Sequence, residues 1–164
     1  MKPALLTKSA RQVAFILLVI AFTGASTAQQ TESNTAMPIV SGAWIKTTVP
    51  GGNVSAAYMQ IKSPTPLKLI KAESPVAGIV EIHNMKMNNG VMEMKALDAL
   101  DVPPDRLVEL RPGGVHVMLM NVKKPINRGD RVPLTLTFEG VGKRPMVVKL
   151  EVVAQENNSG ANKH

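Results

Sequence analysis

Between His83 and Met120 the chain gathers side chains that bind soft metal ions. Six of its ten methionines (Met85, Met87, Met92, Met94, Met118 and Met120) and two of its three histidines (His83 and His116) fall there, and the sequence contains no cysteine. Thioether sulfur is a soft, neutral donor, and imidazole nitrogen binds the same ions. Together they favour copper(I) over zinc, calcium or magnesium. Two histidines and two methionines would leave a copper(I) ion with its single positive charge, so partial exposure is expected. Without a thiolate the set is unlike an electron-transfer blue-copper site.

These donors need β-strands to bring them together. Side chains alternate faces along a strand, so His83, Met85 and Met87 share one face, and His116, Met118 and Met120 share another. Between them Asn89-Gly90 is the strongest short hairpin signal in the chain. With those two as turn residues, Met87 pairs with Met92, Met85 with Met94 and His83 with Ala96. Met94 then lies diagonal to His83, roughly 7 Å away at the backbone. A strand running from Val115 to Val122 beside this hairpin would gather imidazoles and thioethers on matching faces. That coincidence favours His83, Met94, His116 and Met118 as metal ligands. Taken singly, Met85, Met87, Met92 and Met120 read as core or rim packing. Met37, Met59 and Met146 read as packing, Trp44 and Tyr58 as core anchors, and His164 as a solvated terminus.

The remaining chain supports an all-β reading. About nine short alternating runs are separated by Gly/Pro turns such as Pro50-Gly51-Gly52 and Arg111-Pro112-Gly113-Gly114, with Asp98 to Asp105 as a connection broken by Pro103-Pro104. No stretch holds a helical period. The expected fold is an antiparallel Greek-key β-sandwich.

Residues 1–28 carry Lys2, Lys8 and Arg11, then an apolar run from Val13 to Phe22, then small residues with Ser26 and Ala28 at peptidase-like positions. The run is too short to span a membrane, and the pattern is that of a cleaved export signal. The expected organisation is a signal peptide (1–28), a flexible lead-in (29–37), a β-sandwich domain (38–154) and a flexible tail (155–164). Without its first 28 residues the chain keeps 16 basic against 12 acidic residues. No basic stripe with interleaved aromatics accompanies that charge, so nucleic acid is not an expected partner. An exported chain with no cysteine has no disulfide framework and must be held by its own core. No nucleophile elbow, phosphate loop, zinc-protease helix or dinucleotide fingerprint is present, and an enzyme is not expected.

The order His83, ten residues, Met94, twenty-one residues, His116, one residue, Met118 resembles the H-x10-M-x21-H-x-M signature of the periplasmic copper chaperones known as PCuAC. The segment from Pro112 to Met120 (PGGVHVMLM) is similar to that family's PGG-x-H-x-M-L-M run. Ala43-Trp44, Ala57-Tyr58 and Leu134 to Phe138 resemble its early and late strands. The resemblance spans residues 38–153. It implies a cupredoxin-like β-sandwich binding one copper(I) through His83, Met94, His116 and Met118. It also implies a role carrying copper in the periplasm to an acceptor, a cytochrome c oxidase subunit or another copper protein. Relatives with a second copper(II) site have longer His- and Met-rich tails than this chain, whose tail offers only His164.

The leading expectation is therefore a monomeric, exported copper(I) carrier without stable membrane insertion. A copper-buffering or resistance protein without a dedicated acceptor is the alternative. From a different class comes a metal-free envelope binding module, its methionines only packing. The residues alone leave the choice between carrier and buffer open.

Overall fold

A computed structural model of the chain describes residues 37–156. The expected signal peptide, nearly all of the lead-in and all but the start of the tail lie outside these residues. Alternation governs what is described. In the strand Arg131–Glu139 (RVPLTLTFE) every second residue from Val132 to Phe138 is buried, as a half-buried pleat requires. Ten strands form: β1 (Ile39–Lys46), β2 (Val54–Lys62), β3 (Leu67–Glu73), β4 (Ala77–Asn88), β5 (Val91–Leu97), β6 (Leu100–Val102), β7 (Leu107–Leu110), β8 (Val115–Val122), β9 (Arg131–Glu139) and β10 (Pro145–Gln155). A 3-10 turn, Val141–Lys143, joins β9 to β10.

The strands make one hydrogen-bonded path in the order β5-β4-β8-β2-β1-β10-β9-β3-β6, with β7 also paired to β2. The path doubles over on a shared core. Ala57, Met59, Val117 and Leu119 from one half join Leu69, Leu134, Leu136 and Phe138 from the other in one buried cluster. The long connections between spatial neighbours fit a Greek key, and the architecture is the expected all-β, cupredoxin-like sandwich. It is not wholly antiparallel, because β1 runs parallel to β10 through Trp44–Val153, Ile45–Ala154 and Lys46–Gln155. β1 makes this corner through an irregularity between Ser41 and Trp44, where Gly42 takes a φ of 58°. Two further differences concern element edges. Leu100–Val102, read as connection, is a short strand pairing with β3; three residues before Pro103 are too few to show a period. Strand pairing also reaches Gln155, one residue into the expected tail.

Two turns set the register of the strands that matter most. Asn89 (φ 49°) and Gly90 (φ 81°) both occupy the left-handed region, as a two-residue hairpin turn that matches strand twist requires. The resulting pairs are Met87–Met92, Met85–Met94 and His83–Ala96, the register expected from the sequence. Before β8, Pro112 and Gly113 (φ 76°) are the middle residues of a turn closed by Gly114 N–H donating to Arg111 C=O at 3.1 Å. Proline second and glycine third is type II turn chemistry.

Burial in the core is the main stabiliser. Phe138 is fully buried, and Val141 is largely exposed on the 3-10 turn. Urea unfolding should show Phe138→Ala losing about 3–5 kcal/mol, and Val141→Ala staying within about 0.5 kcal/mol of the parent. Equal losses would mean that the core does not sit between the two halves of the folded sheet.

Candidate metal centre

β8 divides its side chains between two tasks. Val117 and Leu119 are completely buried in the core. By alternation His116, Met118 and Met120 lie on the opposite face. β4 does the same, with Ile82 in the core and Glu81, His83 and Met85 opposite it. The strands pair so that His83 stands directly across from His116, and Glu81 from Met118. On the far side of β4, β5 adds Met94 beside Met85. On the far side of β8, β2 places Ala56 beside Met118.

The result is a row of rings across four adjacent strands. Trp44 and Tyr58 have centroids 4.5 Å apart, Tyr58 and His116 6.3 Å, and His116 and His83 6.0 Å. Although this face points away from the core, His116 is only 4 % exposed and the His83 side chain 12 %. A cavity of about 180 Å³ opens beside the row, lined among others by Met85, Met94, Gly113, His116 and Met118, with Tyr58 and Lys46 at its wall. The Gly114 C=O accepts Met85 N–H at 3.2 Å, which ties the turn before β8 to β4 beside this cavity. Two larger cavities, about 270 and 410 Å³, have no histidine or methionine in their linings.

Hydrogen bonds fix which nitrogen of each imidazole is free. His116 Nδ1 lies 2.9 Å from the Gly114 C=O. A carbonyl only accepts, so Nδ1 carries the hydrogen and Nε2 keeps its lone pair. His83 Nε2 lies 2.8 Å from Glu81 Oε2. An ionised carboxylate likewise only accepts, which puts the hydrogen on Nε2 and leaves Nδ1 bare. That Nδ1 is buried and has no hydrogen-bond partner. A carboxylate behind a histidine in this way orients the ring and makes its other nitrogen a better donor. In its neutral form each imidazole therefore keeps one free nitrogen, and the thioethers of Met85, Met94 and Met118 line the cavity beside His116. Among the described residues no group of three or more His, Cys, Asp or Glu side chains is placed to hold a metal.

His116, Met118 and Met94 thus share one cavity, and His83 abuts it through its ring contact with His116. Met85, read from the sequence as packing, lines the same cavity. Met120 lies two residues further along β8, opposite Ile79 and Val54. Met87 and Met92 are not packing residues, being 66 % and 61 % exposed, and Met37 is half exposed. Met59 and Met146 are in the core as expected. Tyr58 is buried, as a core anchor would be, but it and the partly buried Trp44 belong to the ring row and not to the main core cluster. Burial pushes the Tyr58 phenol above its ordinary value of 10.0, so it stays a neutral wall beside His116. Sequence reasoning missed Glu81. Its signal was available: an acidic residue two positions before His83 must share that histidine's face.

The fold is that of the cupredoxin-like PCuAC domains. The copper-bound PCuAC domain from PmoF2 superposes with a TM-score of 0.56 at 23% identity, covering 74% of this chain and 96% of that domain; at that identity the likeness is one of fold. The copper(I) form of DR1885 from Deinococcus radiodurans superposes with a TM-score of 0.53 at 27% identity, covering 80% of this chain and 87% of that one. In sequence, the family model described as "Putative lipoprotein LpqE-like" matches residues 39–151. "Putative lipoprotein Lxx21020" of Leifsonia xyli subsp. xyli is 31% identical over 129 residues, which is 76% of this chain and 73% of the relative. The chain belongs to the LpqE-like family.

Imidazole nitrogen NMR of the metal-free protein at neutral pH should find His116 protonated at Nδ1 and His83 at Nε2. In Glu81→Gln the carboxamide both donates and accepts, so the Nε2–H preference of His83 should weaken while His116 is unchanged. Nδ1–H at His83 in the parent protein would contradict the assignment.

Proposed function

We propose that this protein is an exported copper(I) carrier that holds one ion through His83, Met94, His116 and Met118 and gives it up to an acceptor by ligand exchange. The observation that carries the reading is the pair of facing imidazoles, each with one nitrogen tied and the other free. The free nitrogen of His83 is buried without a partner, and the thioethers of Met94 and Met118 stand at the adjoining cavity. Buried polar atoms are ordinarily paired, and an arriving ion supplies what His83 Nδ1 lacks. The copper-bound forms of PmoF2 and DR1885 support copper as the cargo. Export is supported by the signal-like pattern of residues 1–28 and by the lipoprotein name of the Leifsonia relative. We assign the domain limits 38–154, and we infer that the protein acts as a monomer in the periplasm.

Ligand exposure suits a carrier. Met94 sits on the edge strand β5 and is 46 % exposed, while His116 is deep. The accessible thioether can leave first and admit an acceptor's donor while the imidazoles still hold the ion. All four ligands are neutral, so the bound ion keeps its charge and no ligand binds it as strongly as a thiolate would. A cytochrome c oxidase subunit or another copper protein would supply the receiving ligands.

In a copper(I) competition titration against a chromophoric chelator, the parent should bind one equivalent. His83→Ala, Met94→Leu, His116→Ala and Met118→Leu should each lose at least tenfold in affinity, and Met59→Leu, altered only in the core, should not. The loaded parent should then transfer its copper to apo oxidase subunit II. Unchanged affinity in the four ligand variants would overturn the site. Binding without transfer would point to a buffer.

A further inference from the structure

The hairpin tip carries thioethers that the proposed site does not use. β4 stays paired with β8 only as far as Asn84–Val115. Beyond one more backbone bond, from Met85 N–H to Gly114 C=O, the β4–β5 hairpin projects as a two-stranded arm. Its two faces differ in kind. One carries Lys86, Asn88, Val91 and Glu93, with Asn88 Nδ2 donating to Glu93 Oε1 at 3.1 Å. The other carries only Met85, Met87, Met92 and Met94 in cross-strand pairs.

Neither packing nor strand propensity accounts for that second face. Met87 and Met92 are 66 % and 61 % exposed, so they fill no core. Strands favour β-branched and aromatic residues, and methionine is neither. An exposed apolar pair also gains little by staying out of the core. What separates methionine from leucine or isoleucine here is its sulfur.

The geometry suits a soft ion. In a two-residue hairpin the residues flanking the turn, Asn88 and Val91, form a hydrogen-bonded pair. Alternation then makes Met87–Met92 and Met85–Met94 non-hydrogen-bonded pairs. These hold opposed Cα atoms about 4.5 Å apart, with their side chains close together. Two soft donors at that spacing can clasp one copper(I) or silver(I) ion. Two residues along each strand, about 7 Å away, the pair Met85–Met94 already borders the cavity of His116 and Met118.

We propose that Met87 and Met92 form a second, weaker soft-metal site at the hairpin tip, and that the Met85–Met94 pair links it to the inner site. The inference rests on the copper(I) reading above, to which it adds a route: an ion enters or leaves along the thioether face of the arm. Fewer ligands and greater exposure make the outer site the weaker of the two.

Methyl-labelled methionine NMR of the full chain titrated with silver(I), a redox-stable soft ion, tests this. The first equivalent should shift the Met94 and Met118 methyls, and the second those of Met87 and Met92, with affinity at least tenfold lower. The paired variant Met87→Leu, Met92→Leu keeps the size and exposure of both side chains. It should retain the first step and lose the second, and its copper(I) should be withdrawn more slowly by a bulky chelator. Met87 and Met92 methyls that stay fixed at several equivalents would overturn the proposal, as would a second step that survives in the paired variant. Failure of the first step alone would strike the inner site instead, since the tip methyls are read separately in the same spectra.

Discussion

Everything at the site depends on the two-residue repeat of β4 and β8. Core burial of Ile82, Val117 and Leu119 fixes which face each strand turns inward. The opposite faces must then present His83, His116 and Met118 together. A slip of one residue would exchange the faces, burying the donors and exposing the aliphatics. The apolar core that holds the fold is therefore also what aims these side chains. The Asn89-Gly90 turn and the Pro112-Gly113 turn complete the constraint, because they set where the Met-bearing strand β5 and the His-bearing strand β8 begin.

On this frame the site holds a polar atom in an unfavourable state. A buried nitrogen without a partner, such as His83 Nδ1, costs about 1–3 kcal/mol. The core opposes that cost, and a bound soft ion would relieve it. Glu81 holds the His83 ring through Nε2, and Gly114 C=O holds the His116 ring through Nδ1. Neither partner need touch a bound ion to decide which lone pairs stay free. Tyr58 and Trp44 extend the row and shield His116 from water on the side away from His83.

Much of this was legible in the sequence, because the relevant rules are local. The hairpin register follows from Asn-Gly and a period of two, and β8 follows from an apolar run after a Pro-Gly-Gly turn. The spacing of His83, Met94, His116 and Met118 is a pattern in the chain itself. What escaped was non-local or too short to be periodic. The parallel pairing of β1 with β10 joins opposite ends of the described chain, and β6 has only three residues. Trp44 and Tyr58 carry no mark of which face they take until the β1–β2 register is known. The exposure of Met87 and Met92 depends on how far β4 runs past the start of β8, a non-local pairing that follows from neither strand alone.

The central claim is a mixed imidazole–thioether coordination shell. X-ray absorption at the copper edge of the copper(I)-loaded protein reads that shell directly. The arrangement of His83, His116, Met94 and Met118 predicts nitrogen and sulfur scatterers in equal number, with the outer-shell signature of imidazole rings. A shell without sulfur, or one of sulfur without imidazole, would contradict it.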